Sequence, residues 1–153
     1  MQNISQLLSQ EIKDLIGLKQ EGQKLYLVGG IIRDYCIGRK NEDVDILCDF
    51  DTRLVARRFA DMHRGNFFVM DARRNISRVI LTGKAGKKVF DFARLRATDL
   101  LGDLKARDFT INAMAIDLDQ SYRIIDPLDG QIDLEKKILR VCSPASFNDD
   151  PVR

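Results

Sequence analysis

A short apolar run, Leu25-Tyr26-Leu27-Val28, breaks at Gly29-Gly30 and resumes as Ile31-Ile32-Arg33-Asp34, and Asp43-Val44-Asp45-Ile46-Leu47 follows soon after. These stretches limit the fold and the chemistry more than any others. The first reads as a strand that enters a helix through paired glycines. Glycine lets the backbone approach a bulky anion, and a helix start offers N–H groups to it. Arg33, one turn into that helix, adds a fork of donors suited to a phosphate. The second stretch reads as a strand. Side chains two apart on a strand share a face, roughly 6.5–7 Å from each other. Asp43 and Asp45 therefore project together, with Val44 and Ile46 on the opposite face. Adjacent carboxylates repel unless a cation sits between them. Such a pair suits Mg²⁺, which takes oxygen ligands and bridges substrate phosphates.

The surrounding chain excludes several alternatives. No G-x-G-x-x-G follows the first strand, which argues against a doubly wound dinucleotide fold. No G-K-[ST] follows the glycines, which excludes a Walker site. At 153 residues, 44% hydrophobic and 31% charged, the chain fits one globular domain with a real core. A net charge of +2 does not by itself announce nucleic acid. Cys36, Cys48 and Cys142 lack metal spacing and read as reduced core thiols. A polar N-terminus, and no apolar run approaching a membrane span, predict a cytoplasmic protein without a signal peptide or membrane partner.

The order of elements follows from periodicity. Ile4, Leu7, Leu8, Ile12, Leu15 and Ile16 recur at helical spacing and predict a helix from 4 to about 20, capped by Asn3 or Ser5 and ended near Gly22. Strand 24–28, the glycine turn and a helix to about Ile37 come next, then a loop at 38–41 and the carboxylate strand 43–48. Asp51 or Thr52 caps a helix to about His63, whose buried stripe is Val55, Phe59 and Met62. Arg53, Arg57, Arg58 and Arg64 form a basic face, either solvated or suited to RNA phosphates. A strand at 66–71 precedes a hairpin, 76–82 and 88–94, turning through glycines at 83 and 86. On its return arm Asp91 lies between Val89 and Ala93, where a carboxylate needs a partner. That partner is either a metal or a basic side chain. A short helix from Thr98 leads to Arg107-Asp108, and Asp108 caps a predicted helix from Phe109 to about Ala115. Strand 122–125 and a helical turn near 133–137 complete the pattern. Together they predict an α+β fold, a mixed or antiparallel sheet with helices mainly on one face.

Three blocks carry a family resemblance. Gly29-Gly30-x-x-Arg33-Asp34 with Asp43-Val44-Asp45 resembles the nucleotidyltransferase head of the class II tRNA nucleotidyltransferase and bacterial poly(A) polymerase family. Arg107-Asp108-Phe109-Thr110-Ile111-Asn112-Ala113-Met114-Ala115 is similar to its ribose-reading block, and Asp149-Asp150-Pro151-Val152-Arg153 to its base-reading Glu-Asp-x-x-Arg block, with Asp149 in place of Glu. The resemblance implies a polymerase-beta-like head with a five-stranded sheet. It implies transfer of nucleotides from CTP and ATP to the 3′ end of tRNA by two-metal-ion attack of the RNA 3′-hydroxyl on the nucleotide α-phosphate, with Mg²⁺ and no protein nucleophile. Asp43 and Asp45 would be the metal ligands. Asp91, where the family commonly carries Glu, would be a third catalytic carboxylate, with Arg94 matching the family's Arg three residues on. Gly29, Gly30, Arg33, Arg107, Asp108, Asn112, Asp150 and Arg153 would bind the nucleotide.

The resemblance also shapes expectations about extent and specificity. It predicts a head at 1–142, with 143–153 a linker and the start of a helical neck, the remaining neck, body and tail domains lying in a longer parent chain. Most family members carry a flexible loop after the third carboxylate that supports the switch from CTP to ATP. Here Arg94-Leu95-Arg96-Ala97 leaves almost no slack, which predicts addition of the two cytidines only, against complete CCA addition with another segment as lever. Poly(A) synthesis and a non-catalytic nucleotide- or RNA-binding head are the alternatives.

Overall fold

The fold is seen in a computed structural model that describes residues 4–84, 86–119 and 122–144. The base-reading block at Asp149, Asp150 and Arg153 lies outside the described residues.

The centre is a seven-stranded mixed sheet: β1 (Leu25–Val28), β2 (Asp43–Cys48), β3 (Asn66–Asp71), β4 (Ile76–Gly83), β5 (Gly86–Arg94), β6 (Ala115–Asp117) and β7 (Ile124–Ile125). Its order is β3-β4-β5-β2-β1-β6-β7. Only β2 and β5 pair in parallel; every other neighbouring pair is antiparallel. The sheet thus exceeds the five strands expected. The gain lies partly at Ala115–Asp117, where a helix was predicted. Thr110–Asn112 forms only a single 3-10 turn, and the chain then extends to pair with β1. A short apolar run fits either period, and pairing with a fully buried strand decides it.

The helices are α1 (Gln10–Leu18), α2 (Gly30–Cys36), α3 (Thr52–His63), α4 (Leu100–Lys105) and α5 (Gly130–Glu135). The long N-terminal helix expected from residue 4 is instead a 3-10 turn, Ile4–Leu7, followed by α1 with Ser9 at its N-cap position. The apolar stripe is correct in both forms, since Ile12 and Leu15 are buried and Leu7, Leu8 and Ile16 pack against the core. For α3 the predicted start holds: the Asp51 carboxylate accepts from the Arg53 N–H at 2.9 Å. Arg64 ends it in the left-handed conformation, φ 54°. Val55 and Phe59 are buried as expected, but Met62 is 53% exposed. Met62 keeps the face of Val55 and Phe59 but falls in the last turn of α3, just before Arg64 ends the helix.

The main core lies between one face of the sheet and the first three helices, where Leu25, Leu27, Val44, Ile46, Phe90 and Phe92 meet Phe59, Ile12, Leu15 and Ile32. Phe59 packs edge-on against Phe90, with ring centres 4.9 Å apart. Truncating such a ring to Ala costs about 3–5 kcal/mol. A smaller cluster, Tyr26, Val28, Leu47, Leu104, Ala113 and Ala115, covers the inner part of the opposite face. That second face carries Asp43 and Asp45. The cysteines are free thiols, Cys48 buried and Cys36 and Cys142 half-buried. His63 is half-buried, its Nε2 3.3 Å from the Asp14 carboxylate. Among the described residues no helix is long and apolar enough to cross a membrane.

Candidate active site

Asp45 sits at the middle of the site. In β2 it lies opposite Val28 of β1 on one side and opposite Asp91 of β5 on the other. Asp43, two residues earlier, shares its face and is exposed. Burial pushes the Asp45 carboxyl above the usual carboxylate range, and the negative charges of Asp91 and Asp43 push the same way. The nearby cations Arg107 and Arg78 act against this rise. Concentrated negative charge of this kind is relieved by a bound cation.

The glycine turn closes over Asp45. Gly29 has φ 73°, a conformation that side-chain-bearing residues rarely adopt. A Cβ there would stand 3.2 Å from Asp45 Oδ2 and 3.4 Å from Arg107 Nη1. Glycine therefore lets a carboxylate and a guanidinium from distant segments converge on the end of β1. The Gly29 N–H is already committed: it donates to the Met114 carbonyl at 3.3 Å. This amide is therefore not open to the anion expected at the paired glycines, and the cations beside the turn are Arg107 at Gly29 and Arg33 at Gly30.

Arg33 is held in place before any ligand arrives. Its Nε donates to Asp34 Oδ1 at 2.9 Å and its Nη1 to Asn112 Oδ1 at 2.8 Å. The Asn41 side-chain amide donates to the other Asp34 oxygen at 2.6 Å, and the Asn41 Oδ1 accepts from the Asp43 N–H at 2.8 Å. At the far end Asn112 Nδ2 reaches Asp108 Oδ1 at 3.5 Å. One polar chain therefore links the carboxylate strand, the glycine helix and the Arg107–Asn112 block. Asp34 and Asn41 had no assigned role in the sequence. Asp34 stood inside the glycine block, but nothing in one dimension pairs it with Asn41.

Arg107 is positioned by α4. Its Nε lies 3.4 Å from Asp103 Oδ1, and Asp103 is 1% exposed. The other Asp103 oxygen accepts from the Arg96 N–H at 2.9 Å. Asp108 is not the cap expected: Phe109 holds the N-cap position of the 3-10 turn with no side-chain cap bond, and the Asp108 carboxylate accepts from the adjacent Phe109 N–H at 2.7 Å. α5 braces this block from behind. Buried Asp133 accepts from Thr110 Oγ1 at 2.7 Å and from Arg140 Nη2 at 2.9 Å. Asp103 and Asp133 were missed in the sequence, where each reads as an ordinary helical acid.

Asp91 shares a face with Asp45, as expected of a third carboxylate, but it already has a strong partner. Arg78 of β4 donates to both Asp91 oxygens, Nε and Nη2 each at 2.7 Å. Among the described residues no group of three acids, histidines or cysteines is arranged to hold a metal. With Asp91 engaged by arginine, the Asp43 and Asp45 oxygens are left on this face as candidate donors for a cation. A groove of about 580 Å³ lies elsewhere: Leu7, Ile12, Tyr35, Val44 and Phe90 line it from the opposite face of the sheet.

A carboxylate pair thus lies on the central strand of a mixed sheet, roofed by a Gly-Gly turn and flanked by fixed arginines, the arrangement that the resemblance to a nucleotidyltransferase head implies. Residues 25–140 match the family model of the poly A polymerase head domain, and the chain belongs to that family. It is 38% identical over 128 residues to a CC-adding tRNA nucleotidyltransferase of Geobacter sulfurreducens, covering 84% of this chain and 29% of that protein. Its structure resembles the Thermotoga maritima CCA-adding enzyme complexed with tRNA, with TM-score 0.76 and 32% identity, over 98% of this chain and 38% of that one. It also resembles a tRNA-processing enzyme with CTP, with TM-score 0.74 and 32% identity, over 99% of this chain and 38% of that one. The chain thus spans well under half the length of these relatives.

Proposed function

We propose that this chain is the catalytic head of a cytoplasmic tRNA nucleotidyltransferase that extends the 3′ end of tRNA from CTP and ATP. The observation that carries the reading is Asp45, crowded by Asp43 and Asp91 and roofed by Gly29 with Arg107 beside it. Residues 1–142 form the head, and 143–153 begin its connection to the neck, body and tail of a longer protein, in keeping with relatives of greater length.

Asp43 and Asp45 would hold Mg²⁺. When bound, the cation supplies Lewis acidity to the attacking oxygen and neutralises charge on the departing phosphate. Arg107 and Arg33 bring positive charge to the triphosphate from the two sides of the Gly29–Gly30 turn, and their fixed partners keep them from reorganising when it binds. Asp108 and Asn112 offer acceptor and donor atoms to the ribose hydroxyls. The RNA 3′-oxygen forms a bond to the α-phosphorus, the bond to pyrophosphate breaks, and the 3′-hydroxyl proton passes to solvent. Charge and position suffice for this transfer, so no covalent enzyme intermediate is required. Asp150 and Arg153 would read the base.

One observation favours cytidine addition alone. The link from β5 to α4 is tied down at each end: the Leu95 N–H donates to the Cys48 carbonyl at 2.9 Å, the Arg96 N–H to Asp103, and Asp99 caps α4 by accepting from the Gly102 N–H at 2.7 Å. A segment that must rearrange between nucleotides needs weakly packed chain, and this one is fastened. The test is mass spectrometry of tRNA lacking its 3′ end after incubation with the protein, Mg²⁺, CTP and ATP. Two added cytidines are expected. A terminal adenosine after them shifts the reading to complete CCA addition, an adenosine run to poly(A) synthesis, and no extension at all contradicts transferase activity.

A further inference from the structure

The site face of the sheet carries a feature on the β5 side of Asp45, away from β1 and its glycine turn. Asp45 lies opposite Asp91, Asp91 opposite Arg78, and Arg78 opposite Phe68 on the edge strand β3. Directly opposed residues on adjacent strands share a face. The four therefore form one row that leaves the reaction centre and ends at the rim of the sheet. With strands about 4.8 Å apart, the backbone of Phe68 stands roughly 14 Å from that of Asp45. The next row on the same face runs from Asp43 through Val89 and Ile80 to Asn66.

The side chains of the row differ in kind from those of the core. Phe67, one residue earlier in β3, packs against the main core on the other face, and the Arg57 guanidinium lies 4.5 Å from its ring centre. Phe68 is 47% exposed. Ile80 and Val89 beside it are half-buried. Arg78 keeps 38% of its side chain in solvent, although two of its nitrogens are anchored to Asp91. Its charge reaches Asp43 and Asp45 as well as Asp91. An oriented cation, half in solvent, thus stands between the reactive carboxylates and an exposed aromatic ring.

The two flanks of Asp45 cannot both serve the triphosphate. Gly29, Arg33 and Arg107 lie on the β1 side. Displacement at phosphorus places the attacking and leaving oxygens roughly in line, so the attacking hydroxyl enters from the β5 side. We infer that Arg78 and Phe68 form the docking track for the 3′ end of the acceptor RNA, Arg78 taking a backbone phosphate and Phe68 stacking on an unpaired base. This rests on the proposed transfer to an RNA 3′ end. Stacking on an aromatic ring tolerates any base, which suits an end whose terminal base changes with each addition. Asp91 then acts as a positioning residue that aims Arg78.

The test uses a short fluorescent RNA hairpin with a single-stranded 3′ end. Its affinity is measured by anisotropy without nucleotide, for the wild type, Phe68→Ala, Phe68→Tyr and Arg78→Ala, and KM for RNA and for CTP are measured separately. Phe68→Ala is expected to weaken RNA binding about tenfold and raise KM for RNA, with KM for CTP unchanged, while Phe68→Tyr retains wild-type values. Arg78→Ala is expected to weaken binding and lower the slope of log affinity against log salt by about 1. RNA affinity within about twofold of wild type in Phe68→Ala, or equal losses toward RNA and CTP, overturns the track. Failure of the proposed function itself shows separately, as a wild-type protein that extends no RNA.

Discussion

Arg33 and Asn112 are joined by a hydrogen bond of 2.8 Å between side chains that stand 79 residues apart. Arg33 belongs to the helix that leaves the glycine turn, and Asn112 to the 3-10 turn after Arg107-Asp108. The bond fixes the distance between the residues assigned to the triphosphate and those assigned to the sugar. A guanidinium restrained at both ends loses less freedom when a phosphate arrives, and that lowers the cost of binding.

Asn112→Ala is expected to cost about 1 kcal/mol of stability, the usual worth of one such bond. It should raise KM for CTP about tenfold, equivalent to about 1.4 kcal/mol. Asn112→Asp, which still accepts from Arg33, should recover most of that loss. Steady-state kinetics beside thermal melts check this; unchanged KM in the alanine variant rejects the link as a determinant of binding.

Asp45 carries a pH signature. Its folded carboxyl titrates above the usual range because of burial and the facing charges of Asp91 and Asp43. For an acid whose pKa is raised by folding, the stabilising contribution is complete below the unfolded value and is lost as pH rises through the folded one. In chelator, stability should therefore fall over that window just above the ordinary carboxylate range. Asp45→Asn should remove that part of the fall and melt about 2–4 °C higher than wild type at neutral pH. Scanning calorimetry across pH reads it; an Asp45→Asn protein that melts below wild type in chelator at neutral pH contradicts the account. Mg²⁺ should raise the wild-type melting temperature and leave Asp45→Asn nearly unmoved.

What was legible in the sequence was local. The period of two in β2 placed Asp43 and Asp45 on one face, and the glycines at 83 and 86 fixed the β4–β5 hairpin. The cap at Asp51 follows from its side chain alone. What was not legible depends on register and on distant pairing. Asp91 could face a metal or a basic residue, and only the hairpin register puts Arg78 opposite it. Ala115–Asp117 is too short for its period to separate strand from helix, and it became β6 because β1 offered an edge. Asp103, Asp133 and Asn41 act through partners that no spacing rule selects.

Gly130 tests the brace behind the Arg107–Asn112 block. A Cβ there would stand 2.3 Å from the Thr110 carbonyl oxygen and 2.9 Å from its carbon, both backbone atoms. Gly130→Ala must push the block away from α5. A loss of about 1–3 kcal/mol is expected, as for overpacking elsewhere, with kcat/KM falling further than stability accounts for. Denaturant titration and kinetics at a temperature where the variant is folded measure both. A variant with wild-type activity and stability removes the brace from the account.

Asp103 tests the support of Arg107. It is 1% exposed and holds both the guanidinium and the Arg96 N–H. Asp103→Ala leaves a partly buried cation without this carboxylate, which should cost about 2–4 kcal/mol. Asp103→Asn, which still accepts from the Arg96 N–H, should cost less in stability while still raising KM for CTP. Equal KM values in wild type and Asp103→Asn would show that the pair serves folding alone.

The central claim is that Asp43, Asp45, Arg33 and Arg107 converge on one nucleoside triphosphate. Calorimetric titration of CTP with Mg²⁺ into the wild type, Arg33→Ala and Asp45→Ala tests it most directly. The account predicts one-to-one binding by the wild type that weakens at least about tenfold in each variant, about 1.4 kcal/mol or more. Equal affinities in all three proteins, with the fold intact, would contradict it.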